Sequence, residues 1–231
     1  STSIVGFATF DGAGAGIGAG PDVSALEAFL NSESAPLVFT LGSLIVNSPG
    51  RFYAHGARAA LAMGRRAVLL VGERAGNEMA HLSCKEIFVA AYAPHSTLFP
   101  RAAAIVHHGG IGTLAQALRS GRPQLIVPHF ADQPDNAART RRLGVARILP
   151  PRRYSATSVR RDLARLLGNG RYVERARRIG ESLMGEDGAA RAARILLDTL
   201  EASPERFRSR PFNGTQPNER RPRQRRKGRF L

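Results

Sequence analysis

One stretch of the sequence, residues 103–136, constrains the fold more than any other. An apolar run, residues 103–106, ends in two histidines, and a glycine-rich turn then leads into the helix-forming residues 114–119. A buried strand that runs through glycines into the start of a helix presents bare backbone N–H groups to an anion. The helix dipole adds roughly half a positive charge at that end. The stretch therefore predicts a phosphate-binding turn within an α/β fold.

The rest of the chain supports this fold class, because strand-like and helix-like segments alternate along it. The 231 residues suffice for one domain with a buried core and a tail. We predict a Rossmann-like, mostly parallel sheet flanked by helices. Strands are predicted at residues 3–10, 37–41, 67–71, 87–91, 103–106, 125–127 and 146–149. Helices are predicted at residues 22–31, 49–64, 96–101, 114–119, 135–144, 155–167, 172–184 and 188–201.

Three regions follow from composition: a linker at residues 1–21, the folded domain at 22–202, and a tail at 203–231. The linker contains the glycine-rich run 11–20. A dinucleotide-binding loop is the alternative for this run, but its spacing fits only the looser form of that motif, and Pro21 follows directly. A flexible linker is the preferred interpretation.

The tail carries half of the formal charge of +16, with ten basic and two acidic residues. It is rich in Pro, Asn and Arg and poor in apolar residues, so we predict that it is disordered. A weak, unspecific contact with polyanions such as nucleic acid is the less favoured interpretation.

Cysteine usage and hydropathy bear on the compartment. Cys84 is the only cysteine, so no internal disulfide can form, which fits a reducing cytoplasm. No apolar run approaches the roughly 20 residues that cross a bilayer, and no secretory leader is visible. Because the sequence does not start with Met, we expect it to begin inside a larger protein. No metal-ligand spacing is present.

An ordered set of residues in the central stretch resembles a known family. The set is His108-Gly109-Gly110-Ile111-Gly112-Thr113, then Gly121-Arg122-Pro123, Pro128, Asp132-Gln133 and Asn136. It is similar to the donor-binding motif of inverting, UDP-sugar-dependent glycosyltransferases of the two-domain GT-B type, family 1. The similarity is strongest to the bacterial and fungal branch that glucosylates sterols, macrolides and flavonoids. The resemblance implies a single GT-B half-domain, with UDP-glucose as substrate and neither cofactor nor metal.

The diphosphate site is expected at the turn itself. His108 lies where the strand meets the helix and can donate to the diphosphate, together with the Thr113 hydroxyl and the N–H groups around Gly110 and Gly112. For the preceding His107, a packed or surface role is favoured. Ser43 follows a predicted strand in a Thr-Leu-Gly-Ser segment that the family places on the diphosphate; the alternative is an ordinary turn serine.

The resemblance also implies residues for the nucleoside. The family often has Trp-x-Pro-Gln where this chain has Tyr92-Ala93-Pro94-His95. Tyr92 could stack on the base, with the Ala93 backbone and His95 nearby; Tyr92 in the core is the open alternative. Gln116 stands where the family often has a Glu that holds the ribose hydroxyls, and an exposed helix Gln is its alternative.

The sugar is expected to contact Asp132 and Gln133, with a helix cap as the other role for Asp132. Asn136 and Arg122 are interpreted as structural. None of the six histidines has a family counterpart as catalytic base; in the family the base comes from an amino-terminal domain that also binds the lipophilic hydroxyl acceptor.

The chain is therefore expected to bind a nucleotide sugar and, alone, to transfer little or nothing. A non-catalytic donor-binding subunit that needs a separate acceptor-domain chain, and a basic-tailed α/β protein associated with nucleic acid, are the alternatives.

Overall fold

The computed structural model describes residues 2–10, 21–32, 34–42, 45–46 and 48–202. The predicted linker run at 11–20, the predicted tail at 203–231 and the candidate ligand Ser43 lie outside the described residues. The described residues divide into two compact units, one up to residue 189 and one from residue 190. The first contains the sheet and the candidate site.

The sheet has six parallel strands in the order β3-β2-β1-β4-β5-β6. This confirms the predicted Rossmann-like α/β fold. Chain order reverses between the neighbours β1 and β4, and that reversal is where ligands bind in open α/β sheets. The strands are β1 Leu37–Thr40, β2 Ala67–Leu70, β3 Ile87–Ala90, β4 Ala104–His107, β5 Gln124–Ile126 and β6 Ala146–Ile148.

Helices cover both faces of the sheet, and short 3-10 turns join some of them. Phe39 and Val106 point to one face, in a core that includes Phe52 of α2 and Leu163 of α7. Val38 and neighbouring strand residues point to the other face, towards α1 and α4. The helices are α1 Pro21–Asn31, α2 Phe52–Leu61, α3 Gly76–Met79, α4 His95–Leu98, α5 Ile111–Arg119, α6 Gln133–Arg142, α7 Ala156–Leu167, α8 Gly170–Leu183 and α9 Gly188–Ala202.

Several sequence-based boundaries differ from the structure; for example, the helix predicted at 49–64 is Phe52–Leu61, and the helix predicted from residue 172 starts at Gly170. Residues 2–10 form no strand; Phe7 instead packs on a core cluster near α8, and its carbonyl accepts from the N–H of Gly188 over 3.2 Å. Helix α5 starts at Ile111 rather than at residue 114, and α6 starts at Gln133 rather than at residue 135. The sequence did not indicate these two starts, because Gly112 in the first turn of α5 and Pro134 in the first turn of α6 have low helix propensity. No described helix is both long and apolar enough to span a bilayer.

Candidate functional site

The candidate site lies where β1 and β4 end side by side. Thr40 and His107 are paired in the last register of the two strands, so the residues that follow them meet at the reversal point of the sheet. There the N–H of Gly42 donates to Nδ1 of His108 over 3.0 Å. A Cβ atom would lie 2.4 Å from Nε2 of His108 at Gly42, and 2.2 Å from it at Gly110. The imidazole therefore fits between these two backbones only because both residues are glycine.

His108 is neutral at pH 7, and its hydrogen bond identifies the tautomer. Burial, together with the proximity of His129, lowers the pKa of His108 to about 4, although the Asp132 carboxylate opposes the shift. Because Nδ1 accepts from Gly42, the single ring proton lies on Nε2. His108 is thus a fixed N–H donor at the reversal point, and its contact with a diphosphate stays a prediction.

Helix α5 supplies the backbone donors. Its N-cap is Gly110, which has no side chain to cap the helix, and the N–H of Leu114 is already bonded to the carbonyl of Gly110 over 2.9 Å. The N–H groups of the first helical turn have no partner within the helix. A Cβ at Gly112 would meet nothing within 4 Å. This end of the helix is therefore open to close approach by an anion.

A cavity of about 410 Å³ brings several of the predicted residues together. The predicted residues Tyr92, His95 and Thr113 line it, together with Gly42 and the ends of β1 and β2. Its volume is within the usual range for small-molecule sites. Tyr92 is 41% exposed, so it belongs to this cavity and not to the core. Ala93 beside it is buried.

His95 is shared with a second cavity of about 310 Å³, which Gln116 also lines. The His95 ring stacks on Phe99 with centroids 4.3 Å apart, which orients it at the start of α4. Gln116 is 7% exposed, so the alternative of an exposed helix glutamine is wrong. His95 thus lines both the cavity that contains the predicted base contact and the cavity that contains the predicted ribose contact.

The predicted sugar contacts follow β5. The Oε1 atom of Gln133 accepts from the N–H groups of His129 and Phe130, over 2.8 and 3.3 Å, so this buried side chain orders its own loop. Asp132 occupies the N-cap position of α6, as the cap interpretation predicted, but its side chain makes no capping hydrogen bond. Its carboxylate accepts from Asn136 over 2.8 Å.

Two features of the site were not found from the sequence. Gly42 was not identified as a partner of His108, although it belongs to the Thr-Leu-Gly-Ser segment that was expected near the diphosphate. The position of His129 was also missed; burial lowers its pKa, and it lies close enough to affect that of His108. Across the part of the chain that the structure describes, no three His, Cys, Asp or Glu side chains group as a metal site would require.

Known proteins resemble this chain over most of its described part. A protein-family model described as "Erythromycin biosynthesis protein CIII-like, C-terminal domain" matches residues 59–198. The O-mycaminosyltylonolide 6-deoxyallosyltransferase of Streptomyces fradiae is 39% identical over 76% of this chain and 41% of its own length. The vancomycin aglycone glucosyltransferase of Amycolatopsis orientalis is 33% identical over 76% and 42%. A sterol 3-beta-glucosyltransferase of Kluyveromyces lactis is 35% identical over 69% and 14%. The chain thus spans less than half the length of these relatives.

Solved structures share the fold. A calicheamicin glycosyltransferase superimposes with a TM-score of 0.63 at 25% identity, over 74% of this chain and 43% of that one. The glycosyltransferase VinC, solved in complex with DTDP, has a TM-score of 0.63 at 24% identity, over 76% and 44%. At this level of identity the likeness to VinC concerns the fold alone.

Proposed function

The chain belongs to the family described as Erythromycin biosynthesis protein CIII-like, C-terminal domain, and on that premise we propose that it is the nucleotide-sugar-binding half of a glycosyltransferase. One observation carries the proposal. The neutral His108, held by Gly42, and the open first turn of α5 converge at the reversal point of the sheet. These N–H donors suit a diphosphate.

The same donors suit the proposed reaction, which is sugar transfer with inversion. In the transition state the anomeric carbon gains positive character and the departing diphosphate gains negative charge. Donors fixed before the reaction stabilise that charge without reorganisation. In this proposal the nucleotide leaves without help from a metal. The base that takes the acceptor proton, and the acceptor site, are supplied by residues outside this chain.

The remaining candidate residues are proposed to bind the base, the ribose and the sugar of the donor. Tyr92 stacks on the base beside the Ala93 backbone and His95, and Gln116 binds the ribose hydroxyls. Asp132 bonds the sugar; Gln133, whose oxygen is already occupied, can contribute only its NH₂ group. Ser43 is proposed as a further diphosphate ligand. UDP-glucose is the proposed donor.

A lipophilic hydroxyl compound is the proposed acceptor. Support for it comes from the names of the relatives, which act on a sterol, on O-mycaminosyltylonolide and on vancomycin aglycone. VinC was solved with DTDP, so dTDP-glucose is the competing donor that a test must include.

Calorimetric titration of the full chain with UDP, dTDP and their glucose esters tests the proposal. We expect UDP and UDP-glucose to bind, and uridine, which lacks the diphosphate, to bind at least tenfold more weakly. Tighter binding of dTDP-glucose would replace the proposed donor while the function stands. If neither diphosphate bound at millimolar concentration, the proposed function would be wrong.

A non-catalytic donor-binding subunit is the remaining alternative. The reading frame upstream of Ser1 separates the two: an acceptor domain encoded there favours one two-domain enzyme, and its absence favours a separate acceptor-domain chain.

A further inference from the structure

The peptide groups on either side of Gly109 are held by two buried or half-buried side chains that the proposed ligand contacts do not use. The Gly109 N–H donates to Nδ1 of His107 over 3.1 Å. The Gly109 carbonyl accepts from Nδ2 of Asn136 over 3.0 Å. Gly109 itself has φ +90°, and a Cβ there would lie 2.9 Å from Cγ2 of Ile126. Gly109 sits between His108 and the start of α5 in a conformation that only glycine adopts readily, so its conformation sets how both are aimed.

His107 is anchored in turn by the neighbouring strand. It is fully buried, and its Nε2 bonds Oε1 of Gln124, the first residue of β5, over 2.9 Å. Burial lowers the pKa of His107 to about 3, so the ring is neutral. With Nδ1 accepting from Gly109, the ring proton lies on Nε2 and points at Gln124.

Gln124 completes this anchor at a cost. It has no exposed surface, and its Nε2 has no partner among the described residues. Flipping the amide would place its NH₂ group against the Nε2–H of His107, so the observed orientation is the only one that keeps the bond to the ring. An apolar side chain at this position would avoid the buried, unpaired NH₂ group. A glutamine here therefore calls for an explanation.

Asn136 extends the network to the candidate sugar contact. The same Nδ2 atom that bonds the Gly109 carbonyl also donates to Oδ2 of Asp132 over 2.8 Å. One amide group therefore ties the diphosphate turn to the loop before α6.

We propose that His107 and Asn136 are positioning residues: together they fix the Gly109 peptide so that His108 and the first turn of α5 are aimed at the diphosphate, and Asn136 alone also orients Asp132 towards the sugar. This inference rests on the proposed function. The roles of His107 and Asn136 predict different results. His107 contacts only the diphosphate turn, whereas Asn136 contacts both that turn and the candidate sugar contact Asp132.

The first experiment needs no ligand. Hydrogen exchange of the Gly109 amide is followed by nuclear magnetic resonance in the full chain and in two variants. The double variant His107→Leu/Gln124→Leu removes the acceptor of the Gly109 N–H and also the Gln124 amide, which would otherwise lose its bond to the ring. Of the groups in this network, only the Gly109 N–H is then left unpaired, at a cost of about 1 to 3 kcal/mol. His107→Asn keeps an acceptor oxygen close to the position of Nδ1. Exchange should accelerate at least tenfold in the double variant and change little in His107→Asn. Unchanged exchange in the double variant would overturn the role of His107.

The second experiment compares the affinities for UDP and UDP-glucose by calorimetry. The double variant should weaken both at least tenfold and by the same factor, and His107→Asn should restore most of the loss. Asn136→Ala should weaken UDP-glucose binding by a larger factor than UDP binding.

Thr140→Val is the matched control for α6. Its hydroxyl bonds the Asn136 carbonyl over 2.7 Å without touching Gly109 or Asp132, so this variant should leave both affinities unchanged. Equal losses for the two ligands in Asn136→Ala would overturn its link to the sugar. If the unaltered chain bound neither ligand, the positioning role would fall with the proposed function, whereas the exchange data would still decide whether His107 holds Gly109.

Discussion

The N–H of Gly42 and the imidazole of His108 form a 3.0 Å hydrogen bond between residues 66 positions apart in the sequence. The bond joins the segment after β1 to the segment after β4, which are neighbours in the sheet. It occupies Nδ1 and so leaves Nε2–H as the donor of the ring. The pKa of about 4 keeps the ring neutral, so at the proposed diphosphate site His108 would act as a directed dipole and not as a charge.

Removal of His108 should weaken nucleotide binding. A hydrogen bond to a charged group contributes about 1.5 to 3 kcal/mol, so His108→Ala should lower the affinity for UDP-glucose by more than about tenfold in calorimetry. His81→Ala is the control, because His81 is exposed and lies outside the cavities described above. An affinity for UDP-glucose that His108→Ala leaves intact would remove His108 from the site.

Stability should fall in mild acid because of the two neighbouring histidines. The pKa values of His107 and His108 are lowered to about 3 and about 4 in the folded chain, against about 6.5 when unfolded. The unfolded state therefore binds more protons below pH 6.5, and stability is lost as the pH falls towards the folded values. Between pH 6.5 and pH 5 the loss should be roughly 1.5 kcal/mol for each residue.

Urea unfolding at the two pH values measures this loss, in a range above most carboxylate titration. His108→Asn should reduce the difference in the free energy of unfolding by about the share of one histidine. An equal pH dependence in the variant and the unaltered chain would contradict the lowered pKa of His108.

Substitution of Gly112 should have opposite effects on stability and on nucleotide binding. Since a Cβ there meets nothing within 4 Å, Gly112→Ala should stabilise the folded chain by up to about 0.5 to 1 kcal/mol. The same methyl group would stand in the way of a diphosphate at the start of α5, so UDP affinity should fall at least fivefold. Thermal unfolding and calorimetry measure the two effects.

Gly110→Ala provides the contrast, because its Cβ would lie 2.2 Å from Nε2 of His108. That variant should lose both stability and affinity. If Gly112→Ala bound UDP as tightly as the unaltered chain, the diphosphate would not approach this end of the helix.

Tyr92 should contribute through its ring. Stacking of a base on an aromatic side chain is worth about 1 to 3 kcal/mol, so Tyr92→Ala should weaken UDP binding roughly tenfold while Tyr92→Phe keeps most of the affinity. Inorganic pyrophosphate has no base and serves as the control ligand; its affinity should be the same in all three proteins. A parallel loss for pyrophosphate would mean that Tyr92 supports the cavity and does not contact the base.

The basic segment from residue 203 onward should be separable from the nucleotide site. Deleting residues 203–231 removes half of the formal charge of +16, so any binding to a polyanion such as heparin should weaken steeply and lose most of its salt dependence. UDP affinity should be unchanged. Loss of UDP binding on deletion would contradict the assignment of the site to the folded domain.

The fold class and the resemblance to GT-B glycosyltransferases are confirmed. The site residues remain predictions, although several of them line one cavity. The strand predicted at residues 3–10 is wrong. The apolar spacing of this segment fits a half-buried strand, but in the structure the segment pairs with no strand and Phe7 packs near α8.

The sequence alone determined the alternation of buried strands with helices and the glycine turn that follows His107 and His108, because burial and backbone freedom are encoded locally, residue by residue. Tertiary structure decided which nitrogen of His108 carries the proton. It also decided that the side-chain oxygen of Gln133 accepts from its own loop, and that His107 and Asn136 hold Gly109. Each of these depends on where hydrogen-bonding atoms meet in space, some of them across strands that are distant in the chain, and no local pattern of residue types contains that information.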